Sequence, residues 1–167
     1  MSGHPHFGGR TLARSQALQL LFQAEVCERS VEEVLAGVPC LEVGPLDPYA
    51  RHLALGVEGM LPNLDAIIAA RATNWSIDRM PAVDRNLLRI ALYEMIAVDD
   101  VDVAVAINEC VELAKAYGTE ESPRFVNGLL GRVADQLAAG EDLLKAQDQP
   151  ATGQSVPSGE SIHDGQN

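Results

Sequence analysis

Arg10 and Arg14 stand one helical turn apart at the head of an amphipathic segment. Unpaired backbone N–H groups and the positive end of the helix dipole already favour phosphate there. Gln16 and Gln19 add amides suited to base edges, and Phe22 supplies a ring on which an unpaired base can stack. A second group, Ser122-Pro123-Arg124-Phe125-Val126-Asn127-Gly128, opens a later helix with free N–H groups, a cation, a ring and an amide. Its chemistry is that of an RNA contact. A third group, Asp84, Arg85, Arg89 and Glu94 with Tyr93, has the mixed charge and the Tyr and Arg content of a protein-docking face. Each pattern has a plainer alternative that the residues leave open: solvated arginines, core phenylalanines, or surface ion pairs between neighbouring turns.

Nothing else in the chain points to catalysis or to a metal. His4, His6, His52 and His163 are scattered, and no phosphate-loop, dinucleotide-binding or nucleophile-elbow pattern occurs. Glu109 and Glu112 lie three residues apart on one helix, an arrangement that solvates a face. Cys27, Cys40 and Cys110 are odd in number and form no C-x-x-C pair, so the sequence predicts buried thiols in a reducing cytoplasm. The reading is a recognition protein and not an enzyme, with no catalytic residue, metal or cofactor.

Helices must position these groups. Ala13, Ala17, Leu20, Leu21 and Ala24 repeat at three and four over residues 10–25, the mark of one amphipathic helix. Ser30 with Glu33 forms a capping box, and Asp47-Pro48 offers a cap and a first helical residue. Pro62 should bend or divide the helix that follows, and Leu64, Ile67, Ile68 and Ala72 continue the stripe before the connector NWSIDRMP. Leu88, Leu92, Met95 and Ile96 mark a strong helix whose solvent face carries Asp84, Arg85, Arg89 and Glu94. Asp102 caps the next, with Val103, Ile107, Val111 and Ala114 as its apolar stripe and Gly118 as its stop. Ser122 and Pro123 open the last, lined by Phe125, Val126, Leu129, Leu130, Val133 and Leu137. An all-α fold of about six or seven helices follows, over residues 10–140, with mobile tails at 1–9 and 141–167.

The chain has 167 residues, 47% of them hydrophobic and 22% charged, which fits one globular domain and excludes a collagen, a coiled coil or a long disordered protein. Its net charge of −12 opposes general nucleic-acid affinity. The charge is unevenly spread: residues 1–24 hold two arginines and no acid, and everything acidic lies beyond them. No apolar run of membrane-spanning length and no signal-peptide core is evident, so a cytoplasmic location without membrane contact is expected.

The strings ARSQALQLLFQAE, PAVDRNLLRIALYEM, VAINECVELAKAYG and ESPRFVNGLLGRV stand in an order and spacing that resemble the NusB family of bacterial transcription factors, from about Arg10 to Leu137. The resemblance implies an all-helical fold of two three-helix-like subdomains. It also implies transcription antitermination: binding of single-stranded boxA RNA of ribosomal leader transcripts, jointly with the small-subunit ribosomal protein NusE, within an RNA polymerase antitermination complex. RNA contacts carry over to Arg10 and Arg14 in the first helix, next to which Gln16 joins the RNA-binding set by its amide, and to Glu121, Ser122, Arg124 and Phe125. NusE docking carries over to Asp84, Arg85, Tyr93 and Glu94. Family members often open with a dense arginine run, whereas this chain has only Arg10 and Arg14, so the expectation is weak RNA binding alone and stronger binding beside NusE. Two rival readings are a regulatory helical dimer with weak or lost RNA binding and the RNA-binding part of an rRNA cytosine methyltransferase. Against the second, the roughly thirty polar residues after Leu137 are too few for a cofactor-binding α/β domain.

Overall fold

The computed structural model describes residues 7–73 and 75–145. Among these residues the chain forms seven α-helices, one 3-10 turn and no strand. The helices are α1 (Gly9–Val26), α2 (Val31–Ala36), α3 (Pro48–Gly59), α4 (Leu61–Arg71), α5 (Ala82–Ala97), α6 (Val103–Tyr117) and α7 (Ser122–Ala138), with the 3-10 turn at Ile77–Arg79 inside the expected connector. The all-α architecture is the one the sequence predicts.

Local chemistry sets most of the helix ends. Ser30 and Glu33 close the capping box at α2, Asp47 accepts from the Tyr49 N–H at α3, and Asp102 accepts from the Ala104 N–H at α6. Pro62 in the first turn of α4 coincides with a 75° bend after α3. No single described helix is long and apolar enough to cross a membrane. Gly118 ends α6 for a reason periodicity does not contain: its backbone is not left-handed, but a Cβ there would lie 2.6 Å from the Ser122 Cβ. Ser122 is the first residue of α7 and not its cap; Glu121 holds that place without a side-chain bond.

Packing centres on α5, which touches α1, α3, α4, α6 and α7. On one side α1, α2 and α3 pack together, on the other α6 and α7, and a continuous apolar cluster runs through both groups. Helix α6 differs from expectation in its inward face. Ala106, Cys110, Leu113 and Ala114 are buried, while Val103, Ile107 and Val111 are only half-buried. The helix is apolar on too many sides for spacing to choose, so its neighbours choose. The cysteines also divide: Cys110 is buried, and burial raises its thiol, but Cys27 at the end of α1 and Cys40 in the following linker are exposed. Leu143 is buried and Leu144 packs on the same cluster, so ordered packing passes residue 140; Phe7 likewise packs 6.3 Å from the Tyr117 ring. The remaining tail positions, 1–6 and 146–167, lie outside the described residues.

Three glutamines of α1 hold the α2–α3 linker in place of secondary structure. Gln23 both donates to the Cys40 carbonyl (2.7 Å) and accepts from its N–H (2.9 Å), and Gln19 accepts from the Glu42 N–H (2.8 Å). Gln16 donates to the carbonyls of Val43 and Pro45 and accepts from the Asp47 N–H (2.8 Å). An irregular strip of backbone is thereby satisfied along one helix face.

Helix α1 ends in a Schellman turn whose left-handed position is Glu28, at φ 52°, with the Arg29 N–H bonded to the Ala24 carbonyl. A side chain there is strained relative to glycine. Glu28→Gly is expected to raise the free energy of urea unfolding by about 1 kcal/mol.

Candidate nucleic-acid interface

The head of α1 separates its two arginines. Arg10 remains exposed, donating to Asp100 at 2.8 Å with its guanidinium 4.7 Å from the Tyr49 ring centroid. Arg14 is only 3% exposed and makes a bidentate pair with Glu94, Nε to Oε1 at 2.7 Å and Nη2 to Oε2 at 2.8 Å. Tyr49 donates its hydroxyl to the same Oε2 at 2.6 Å, and Glu109 lies 3.5 Å from Arg14. Burial lowers the Arg14 pKa, but the bonds and charge of Glu94, with Tyr49 and Glu109, outweigh it and hold the guanidinium above its ordinary value. The expected two-arginine phosphate platform is therefore corrected to one arginine, because α1 is covered by both α3 and α5. Gln16, expected at base edges, is fully buried against the linker.

Helix α5 does not have the solvent face expected of it. Asp84 is 4% exposed and Glu94 1%. Arg85 pairs with Glu25 and donates to the Met80 carbonyl at 2.7 Å. Arg89 forks onto Asp65 at 2.7 and 2.9 Å. Tyr93 is buried over Gly56, where a Cβ would fall 2.1 Å from the ring. These side chains bolt α5 to its neighbours, and Asp84 and Glu94 offer a partner nothing. Asp84 lies beside Ser122, and its Oδ1 has no hydrogen-bond partner among the described residues. Burial raises its carboxyl, and the Ser122 hydrogen bond works against that rise.

At the head of α7 the expected residues separate by role. Ser122 is buried, its Oγ accepting from the Thr119 N–H at 2.9 Å, so it shapes the turn. Glu121 and Arg124 are exposed, and Arg124 makes no hydrogen bond or ion pair among the described residues. Phe125 is half-buried and stacks on Trp75, ring centroids 6.1 Å apart and planes at 28°. Trp75 is 47% exposed. The pair borders a cavity of about 170 Å³ lined by Arg71, Ala72, Thr73 and Arg132. Trp75 falls in the segment NWSIDRMP, which has the composition of a connector; its one signal is that the chain's single tryptophan lies between helices. Arg10 and Phe125 do not form one site. Arg10 is tied to Asp100 before α6 and Phe125 follows its far end, a span of about 20 Å by helix rise.

A third feature lies beside α1. Leu18, Gln19, Phe22, Gln23, Cys40, Val83 and Tyr117 line an almost wholly apolar groove of about 400 Å³, with Phe22 42% exposed. Phe22 is thus a surface ring, neither core nor part of the Trp75 cluster.

The NusB family model matches residues 11–135. The transcription antitermination protein NusB of Salinispora arenicola is 53% identical over 133 residues, covering 75% of this chain and 95% of that protein. That of Desulforudis audaxviator is 44% identical over 131 residues, covering 76% and 94%. Among solved structures, NusB of T. maritima superposes with a TM-score of 0.68 at 34% identity, over 78% of this chain and 94% of that one. A crystal structure of antitermination factors NusB and NusE in complex with double-stranded RNA superposes at 0.63 and 26% identity, over 75% and 96%.

Two stability outcomes follow from the buried charges. Arg14→Ala strands Glu94 and is expected to lower the unfolding free energy by about 3–5 kcal/mol, while Arg10→Ala leaves the urea midpoint essentially unchanged. Because burial raises the Asp84 carboxyl, the stability its protonated form supplies is present below the unfolded pKa and lost as pH rises through the folded one. Asp84→Asn removes that loss. Its advantage over the parent in urea unfolding is expected to be larger at about pH 7 than at about pH 3.5.

Proposed function

Because the chain belongs to the NusB family, we propose that this antitermination factor binds single-stranded boxA-type RNA together with a NusE-type ribosomal protein, in support of read-through by RNA polymerase. The observation that carries the reading is the Trp75–Phe125 stack with Arg132 lining the cavity it borders, and with the exposed Arg124 preceding Phe125 on α7. Stacked rings bind unpaired bases of any sequence, and neighbouring guanidinium groups bind the phosphates. On a chain of net charge −12, such a patch is where a polyanion is tolerated. Arg10 contributes a separate phosphate contact beside the start of α6. Arg14, Gln16 and Ser122 act at one remove, by fixing the elements that carry the exposed groups.

Partner docking belongs to the apolar groove of Phe22, not to the buried residues of α5. Val83 lies in that groove next to Asp84, so α5 takes part through its backbone neighbour. An exposed ring in an apolar trough is a suitable anchor, and the acidic body around it complements a basic ribosomal protein. The related NusB crystallised with NusE and RNA supports a three-component assembly here. With so few cations available, RNA binding by the isolated chain should be weak and gain from the partner's charge.

Trp75 is the only tryptophan, so its fluorescence reports directly. Titration with a boxA-type oligoribonucleotide is expected to quench it, with an apparent affinity at least about tenfold higher once NusE is added. Phe125→Ala should weaken RNA binding by about tenfold or more, and Phe22→Ser should abolish only the gain from NusE. Tight binding without NusE that is indifferent to Phe125→Ala would contradict the reading.

A further inference from the structure

Beyond the aromatic pair, α4 and α7 leave two cationic side chains facing one trough. Arg71 and Arg132 line the cavity under Trp75 and Phe125, and both also line an adjoining cavity of about 340 Å³ with Ala70, Thr73, Asp135 and Gln136. Arg71 is held in orientation by neutral acceptors only, Nε donating to Gln136 Oε1 at 2.6 Å and Nη1 to the Ile67 carbonyl at 2.8 Å. Arg132 is exposed and has no hydrogen bond or ion pair among the described residues. Burial first, and the charge of Arg132 as well, lower the Arg71 pKa, while Glu141 opposes them. Glu141 is itself bonded to the other end of Gln136, at 3.0 Å. The amide of Gln136 thus stands between Arg71 and Glu141, while Asp135 is a second carboxylate on the lining. Two guanidinium groups that repel each other, one of them preset in direction, gain from an anion between them.

The surface of α7 suits the approach of a strand. Arg124, Gly128 and Arg132 recur at intervals of four, so they share one face, with the two arginines about 12 Å apart. Nothing lies within 4 Å of a Cβ placed on Gly128 or Gly131, and neither has a left-handed backbone. Each glycine costs the helix about 1 kcal/mol relative to alanine without any internal need, and both leave the helix backbone open between the cations.

We propose that Arg71 and Arg132 form a phosphate clamp that grips the RNA backbone beyond the base on the Trp75–Phe125 pair, so that the strand runs along the α4–α7 trough towards the end of α7. This rests on the RNA-binding reading above and adds to it a path and a second contact.

The test uses the full chain with NusE and two oligoribonucleotides, one confined to boxA and one extended by several nucleotides at either end. Trp75 quenching is followed from low to moderate salt for the parent, Arg71→Gln/Arg132→Gln, and Arg132→Gln alone, whose exposed side chain holds nothing in the fold. For extended RNA the double variant should lose at least about tenfold in affinity at low salt, and its salt slope should fall by about 0.7, the value for one lost phosphate contact on a single strand. Arg132→Gln should lose about half of that slope change, and Arg51→Gln on α3 none. If the parent binds extended RNA and the double variant keeps its slope, the clamp is wrong and the RNA reading stands. If the parent binds neither oligonucleotide by filter retention, the RNA reading falls and the clamp falls with it.

Discussion

The buried pair of Arg14 with Glu94 fixes where everything else can be. Both charges are removed from water, a state tolerable only when the fork is bidentate and the remaining lone pairs are met. Tyr49 meets one of them and Glu109 stands near the far guanidinium nitrogen. The four residues come from α1, α5, α3 and α6, so satisfying one ion pair sets the relative positions of four helices. It also explains how α5 can be both central and polar: Glu94, Arg85, Arg89 and Asp84 each meet a neighbouring element.

Function follows from which cations this network engages and which it leaves. Arg14, Arg85 and Arg89 are neutralised inside by Glu94, Glu25 and Asp65. Arg10 is half committed to Asp100. Arg124 and Arg132 are exposed and unpaired among the described residues, Arg132 lining the cavity bordered by Trp75 and Phe125. Arg29, Arg51 and Arg79 are exposed as well, so what sets the α7 pair apart is the company of Trp75 and Phe125 and not freedom from acids alone. The apolar groove of Phe22 is a separate surface with separate chemistry, sharing no lining residue with the cavity bordered by Trp75 and Phe125.

What was legible in the sequence was local. Ser30 with Glu33, Asp47 with Pro48, and Asp102 act within a few residues of themselves, and the structure forms each as read. The strongly periodic stripes of α1, α4 and α7 likewise face inward. Arg14, Gln16 and Glu94 were misread because helical periodicity assigns polar residues to water, whereas their partners lie 80, 27 to 31 and 80 positions away. No window shows such pairing. The inward face of α6 was ambiguous for the opposite reason, an excess of apolar choices. Of the site, Phe125 and Arg124 were visible from the motif, but Trp75, Arg71 and Arg132 come together only when α4 packs near α7.

The most direct measurement is ultraviolet crosslinking of an unmodified boxA oligoribonucleotide to the protein–NusE assembly, with adducts located by peptide mass spectrometry. The account predicts adducts on Trp75 and Phe125, in tryptic peptides spanning 72–79 and 125–132. Adducts confined to the start of α1 around Arg10, with both rings unlabelled, would contradict it.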